Sequence, residues 1–210
     1  MFQKRNEEHI RHWTSCFVIS LLVLCYTPLF AGEPGGGDSP QDVFKAAQAA
    51  GAKKDFGTLA KLTAPSEQPM LAFGTDMAVG MFVEFYEGQK ADELKKKYQA
   101  IQTKYSIKTG TEEDDEKLHV TEDTPQEVID EHMRKRAKKL YGQIDAEKYV
   151  PDLMNILISM PEMAEQAFFP AEELSGLKVD GDKATGQAGE KKISFIRENG
   201  RWYLTADVMN

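Results

Sequence analysis

Cysteine is absent from all but the first part of this chain. The 210 residues include two cysteines, Cys16 and Cys25, and both lie inside one apolar run over residues 13–31. The chain that follows therefore has no disulfide, no thiolate metal site and no cysteine nucleophile. It must depend on a hydrophobic core, and its length is sufficient for one domain with a core of useful size.

Recognisable catalytic motifs are also missing. The chain has no Gly-x-Ser-x-Gly elbow, no glycine-rich phosphate loop and no paired-histidine zinc motif. His119 and His132 lie in polar stretches that predict exposed side chains. The acidic run 112–116 lacks the alternating spacing and the glycine of a calcium loop, so it is interpreted as solvated. We therefore assign no catalytic, cofactor-binding or metal-ligating residue and expect no cofactor, and the balance is against an enzyme.

Basic residues are fewer than acidic ones in this chain. The chain has 26 basic and 34 acidic residues, a formal net charge of −8. An acidic domain stays soluble and repels polyanions, which disfavours nucleic acid as a partner. The expected partner is a small ligand or a protein, with a membrane involved only if the apolar run is retained.

The apolar run over residues 13–31 lies behind a short head with three basic residues. This layout is typical of an export signal, and small Ala31 suits the cleavage site, so residues 1–31 are predicted to be a signal peptide. An uncleaved membrane anchor over residues 13–31 is the alternative, because about 17–25 apolar residues span a bilayer. The protein is thus predicted to be exported, either periplasmic or secreted, or else membrane-anchored.

The chain after the leader predicts a flexible, glycine-rich linker over residues 32–38 and a single α+β domain over 39–210. Helical periodicity fills the N-terminal two-thirds of this domain. The last part alternates, with hairpin signals at Asp180-Gly181 and Asn199-Gly200. The predicted fold is a helix-rich N-terminal two-thirds packed on a C-terminal four-strand antiparallel meander.

Two helices open with the same signal for a capped N-terminus. Ser39-Pro40-Gln41-Asp42 and Thr124-Pro125-Gln126-Glu127 each combine a capping hydroxyl, a first-turn proline and an acid. Residues 39–59 align without gaps on residues 124–144. The match has two explanations, shared capping chemistry or a duplicated helix-turn-helix, and the sequence leaves both open.

Two apolar patterns predict core faces. Met77, Met81 and Phe85 recur at helical spacing within residues 70–105, which predicts that this face is central to the core. On the last strand, Trp202 shares a face with Leu204 and Ala206 and is expected to point inward, toward Phe195 and one of the long helices.

Both ends of the domain resemble the NTF2-like (cystatin-like α+β, SnoaL-type) superfamily. Residues 39–47, 54–56 and 59–62 are similar to its first helical pair, and residues 179–184 and 193–204 to its closing hairpins. Between these ends the sequence predicts helix, whereas family members have a strand there. The resemblance implies a curved sheet wrapped on helices with a conical pocket between them. The superfamily includes both enzymes and non-enzymes.

These observations give three hypotheses of function. The first is an exported, non-catalytic module that binds a small ligand or a protein partner in a groove between helices and sheet, lined by Phe82, Tyr86, Phe195 and Trp202. The second is a SnoaL-type pocket enzyme that uses a buried acid or base. The third is a structural envelope-assembly protein whose partner surface is the exposed side of the helix over residues 70–87.

Overall fold

The computed structural model describes residues 35–88, 90–107, 121 and 124–206. The predicted leader, the acidic run 112–116 and His119 lie outside these residues. The described chain belongs to one compact unit that begins at Gly35. Within it, no helix combines the length and the apolar character needed to cross a bilayer.

Helices come first along the chain and strands follow. The helices are α1 (Pro40–Ala52), α2 (Phe56–Leu62), α3 (Gln68–Phe85), α4 (Ala91–Lys104), α5 (Gln126–Tyr141), α6 (Ala146–Ile158) and α7 (Pro161–Ala164). The strands are β1 (Leu174–Asp180), β2 (Lys183–Ala188), β3 (Lys191–Glu198) and β4 (Arg201–Leu204). They pair antiparallel in chain order. The predicted α+β fold, with a helix-rich N-terminal part and a C-terminal antiparallel meander, is confirmed.

The first cap signal is confirmed. The Ser39 hydroxyl accepts from the backbone N–H of Asp42 at 3.2 Å and donates to the Asp42 carboxylate at 2.6 Å. The second signal works differently, because Pro125 occupies the cap of α5 and makes no side-chain bond. Thr124 Oγ1 instead accepts from the N–H of Thr121 at 2.8 Å. The similarity of the two segments therefore does not extend to their caps.

The meander presents one face to the core. Ile193 and Phe195 of β3 are almost fully buried, and Phe195 lies opposite Leu204 of β4. The hairpin between these strands turns at Asn199 and Gly200, which have φ of 52° and 82°. Positive φ at both central residues matches the twist of paired strands, which explains why Asn-Gly predicts this turn.

The outer edge of β4 is covered by distant parts of the chain. Gly37 and Trp202 exchange two backbone hydrogen bonds of 2.9 and 2.8 Å, and Ala64 donates to the Leu204 carbonyl at 2.9 Å. The Arg201 guanidinium also donates to the carbonyls of Gly35 and Gly36, both at 2.9 Å. Residues 35–37 fall in the segment predicted to be a flexible linker, and in the structure they are held against the sheet.

Trp202 is buried as predicted, with 6% of its surface exposed. It lies opposite Arg197 in the register, whose guanidinium carbon is 6.0 Å from the indole ring centroid. Tyr203 points to the other side of the strand and is buried too. Its ring lies directly against Gly36, so the N-terminal segment covers the second face of β4.

The predicted core face of α3 is wrong. Met77, Met81 and Phe85 lie at the surface, with Phe85 76% exposed. The buried face carries Leu71, Ala72, Phe73, Thr75, Asp76, Val79 and Val83. Because α3 is apolar almost all the way round, its spacing could not indicate which face is covered.

Replacing Trp202 with alanine should lower the free energy of unfolding by about 3–5 kcal/mol, because it empties a buried aromatic site. Denaturant unfolding measures this loss, and Val179→Ala on exposed β1 should change stability by less than about 0.5 kcal/mol. In a Trp13→Phe background, native emission should be blue-shifted relative to the unfolded protein. Emission that does not shift on unfolding would contradict the burial.

Candidate functional site

Four helices meet at one buried carboxylate, that of Asp76 on α3, which is 6% exposed. Its Oδ1 accepts from the hydroxyls of Tyr98 at 3.0 Å and Tyr149 at 2.8 Å, and from Gln102 Nε2. Its Oδ2 accepts from the Tyr141 hydroxyl. Because these donors come from α4, α5 and α6, a single side chain links four helices. We call these five residues the Asp76 cluster.

A glycine on α3 makes room for the Asp76 cluster. A Cβ built at Gly80 would lie 2.8 Å from the Tyr98 hydroxyl oxygen, which is closer than van der Waals contact allows. Glycine inside a helix costs about 0.5–1 kcal/mol relative to alanine. At this position the cost is offset by the approach of Tyr98 to Asp76.

The surroundings of the Asp76 cluster hold its tyrosines in the protonated state. Burial raises the pKa of Tyr98, Tyr141 and Tyr149 well above the ordinary tyrosine value, and the nearby Asp76 carboxylate raises each pKa further. A tyrosine that keeps its proton serves here as a hydrogen-bond donor, and a phenolate would repel the carboxylate. The cluster is therefore built to hold the helices together.

Two cavities adjoin α3. One, of about 630 Å³, lies against α4 and is lined by Gly80, Tyr98 and Gln102 among others. The second, of about 570 Å³, lies between the helices and the sheet and is called the helix–sheet groove here. Asp76 lines neither cavity.

Apolar side chains dominate the walls of the helix–sheet groove on the helical side. The large ones are Met70, Leu71, Phe82, Met154, Leu157, Met163 and Phe168. The sheet contributes Lys191 and Ser194 of β3, and Thr205 and Ala206 follow β4. The groove therefore combines apolar and polar walls in similar measure, and concave surfaces with placed polar groups are typical of small-molecule sites.

One ion pair lies in the helix–sheet groove. Arg134 of α5 donates through Nη1 to Glu67 Oε1, just before the first turn of α3. The two side chains differ in burial, since that of Arg134 is 52% exposed and that of Glu67 only 11%. Among the described residues, Glu67 Oε2 is buried and has no hydrogen-bond partner.

The α3 wall of the helix–sheet groove includes Gly74, a helical glycine with no packing role. A Cβ built at Gly74 would meet no atom within 4 Å. Unlike Gly80, Gly74 has no neighbour whose approach requires it. A side chain here would project into the groove, so glycine keeps this part of the groove open.

The four residues predicted to line a groove are not brought together. Phe82 does line the helix–sheet groove. Phe195 and Trp202 are buried in the core, and Tyr86 packs against the core just after α3. Their side chains line neither of the two cavities described above.

The residues central to the Asp76 cluster and to the helix–sheet groove were not predicted from the sequence. Asp76 carried a usable signal, since it is the only charged residue between Glu67 and Glu84 in an otherwise apolar helix. Gly74 and Gly80 also carried one, because glycine is unfavourable inside a helix. Glu67 and Arg134 had none, as their pairing joins helices that are distant in sequence.

The described residues hold no other recognisable chemical site. Within the described residues, no group of three or more His, Cys, Asp or Glu side chains could hold a metal ion. His132 is half-buried on α5. Comparison with protein-family models, curated proteins and solved structures found no match to this chain. The resemblance to the NTF2-like superfamily therefore stays a prediction.

Stability should fall at alkaline pH because of the Asp76 cluster. Unfolded tyrosines ionise near pH ~10, whereas the folded ones have a raised pKa and keep their protons. The cluster's contribution is therefore fully present below about pH 10 and is lost as pH rises above it. Urea unfolding between about pH 8 and pH 11 should show this fall.

Tyr149→Phe tests whether the Asp76 cluster causes this loss of stability at alkaline pH. At neutral pH it should cost about 1.5–3 kcal/mol of unfolding free energy, because it removes a buried hydrogen bond to a carboxylate. Its alkaline loss should be shallower than that of the wild type, because one titrating group is gone. Tyr203→Phe, outside the cluster, is the control. An equal pH dependence in wild type and Tyr149→Phe would contradict the role of the cluster.

Proposed function

We propose that this protein is a non-catalytic binding module that works outside the cytoplasm and takes a small, largely apolar ligand into the helix–sheet groove. The export signal predicted over residues 1–31 supports the location. The volume of the groove, about 570 Å³, falls within the ~300–1,000 Å³ of small-molecule sites and supports the binding role.

Gly74 is the observation that carries the proposal. Replacing it with alanine would favour the helix by about 1 kcal/mol, and there is open space for the added atom. A residue that sacrifices stability without a packing reason is expected at a functional site. The open space at Gly74 lets a ligand approach the backbone of α3.

The pocket-enzyme alternative has less support. It requires an acid or base that faces the substrate, and the most extensively hydrogen-bonded buried acid, Asp76, accepts four hydrogen bonds and lines neither cavity. Glu67 does line the groove, but Arg134 occupies one of its oxygens. Asp76 is therefore closed to a substrate, and Glu67 is held in an ion pair with Arg134.

Filling the groove should weaken binding. N-phenylnaphthylamine, an apolar dye that fluoresces when it leaves water, is a suitable probe for titration. Gly74→Phe should weaken dye binding about tenfold or more, because the ring occupies the groove. Gly74→Ala is the matched control, and it should keep measurable binding while raising stability by about 0.5–1 kcal/mol. Unchanged binding to Gly74→Phe would refute the proposal.

A structural, envelope-assembly role is the second candidate, favoured by an exposed apolar strip on α3. The strip consists of Met77, Met81, Phe82 and Phe85, each about half exposed or more. Exposed apolar surface of this kind marks interaction sites. The spacing of Met77, Met81 and Phe85 forms a seam that a second copy of the chain could match about a two-fold axis.

This candidate predicts that the purified protein self-associates. Met81→Lys should shift it to monomer in sedimentation velocity, because a charge would be buried at the seam. Val128→Lys, which charges an exposed apolar residue on α5, should leave the association unchanged. A wild-type protein that is monomeric at every concentration would exclude the self-association.

A further inference from the structure

We propose that two copies of this chain associate through the outer edge of β1, which pairs antiparallel with its own counterpart about a two-fold axis at Val179. The pairing joins the two four-stranded meanders into one continuous sheet. It is independent of the helix–sheet groove. It depends on three observations: an uncovered strand edge, an apolar row that ends in solvent, and a self-complementary pattern of charge.

The two edges of the sheet differ in what covers them. The outer edge of β4 is bonded to Gly37 and Ala64. At the opposite edge, β1 pairs only with β2 among the described residues. An uncovered edge strand presents a row of backbone N–H and C=O groups to which a further strand can pair. β1 is therefore the side of the sheet that can accept another chain.

The backbone of Val179 supplies the bonding groups at this edge. Asp180 and Lys183 face each other across the two-residue turn between β1 and β2, and the residues that close such a turn are bonded to each other. Because bonded and non-bonded pairs alternate along antiparallel strands, the N–H and C=O of Val179 point away from β2. Two copies of Val179 that face each other would therefore exchange two backbone hydrogen bonds.

An apolar row across the sheet ends in solvent at Val179. This residue lies opposite Ala184, Ala184 lies opposite Phe195, and Phe195 lies opposite Leu204. The last three are each 2% exposed or less, whereas Val179 is 57% exposed. Directly opposite side chains share one face of a sheet, so the row is buried on three strands and open on the fourth. Val179 of a second copy would continue the row and cover this side chain.

The charges beside Val179 select the partner and the register. Lys178 and Asp180 flank Val179, and both are exposed. In a pair centred on Val179, Lys178 of each copy lies opposite Asp180 of the other copy. Directly opposite residues have Cβ atoms about 4.5–5.5 Å apart, where opposite charges stabilise the pair and like charges destabilise it. A pair centred on Lys178 would place two ammonium groups opposite each other, so the charges favour the register at Val179.

Charge variants test the pairing by sedimentation velocity over a range of protein concentrations. The wild type should associate weakly and reversibly, because the paired segment is short. Lys178→Asp and Asp180→Lys each bring like charges together in both cross-strand pairs, so each variant alone should associate about tenfold more weakly. An equimolar mixture of the two should recover the association, because a mixed pair brings opposite charges together at both positions. A mixture that stays monomeric, or single variants that associate like the wild type, would overturn the proposal.

Val179→Pro removes the backbone donor itself. Proline is tolerated on an edge strand where the N–H faces solvent, so β1 should still pair with β2 and the circular dichroism spectrum should be unchanged. The association should nevertheless be lost. Val179→Ala keeps the N–H and is the matched control, which should retain more of the association. If Asp180→Lys does not fold, this comparison decides, and equal association of Val179→Pro and wild type would overturn the proposal.

Association through the exposed apolar strip of α3 is a separate contact. Met81→Lys should leave dimers that are held through β1 intact. An association that disappears in Met81→Lys and does not respond to the charge variants belongs to the α3 strip, and the β1 pairing is then wrong. A wild type that sediments as a monomer at its highest soluble concentration would also overturn the proposal. Neither result bears on dye binding in the helix–sheet groove.

Discussion

The Asp76 carboxylate is the contact on which the helical part of this protein depends. A charged group removed from water is unfavourable unless its oxygens are fully bonded, and here four donors from three other helices supply those bonds. Packing of apolar side chains alone would tolerate sliding of one helix along another. Directional bonds to a single acceptor fix the positions of α3, α4, α5 and α6 together.

This arrangement gives α3 two functions on opposite sides. Asp76 and Gly74 are two residues apart and therefore about 200° apart around the helix. The side that carries Asp76 is fixed to the bundle, and the side that carries Gly74 and Glu67 forms the wall of the groove. A rigidly held helix keeps a cavity open without a ligand to support it, which lowers the ordering cost of binding.

Much of this fold could be predicted from the residue types of neighbouring positions. Contacts between residues distant in sequence could not be predicted in this way. The turn at Asn199 and Gly200 and the cap at Ser39 depend on neighbouring residues, so their residue types were sufficient. The buried face of α3 depends on which helices cover it, and an almost uniformly apolar sequence does not specify that. Asp76 meets partners as far as 73 residues away, and the open space at Gly74 is a property of the folded whole.

The contacts that cover β4 also decide the order in which the domain can form. The strand follows all the described helices along the chain, yet its free edge pairs with Gly37 and Ala64 from the first part of the domain. Contacts between such distant segments form slowly, because the intervening chain must close a long loop. The domain therefore cannot close until β4 has met both segments. The helices without β4 would leave the backbone groups of Gly37 and Ala64 without these partners.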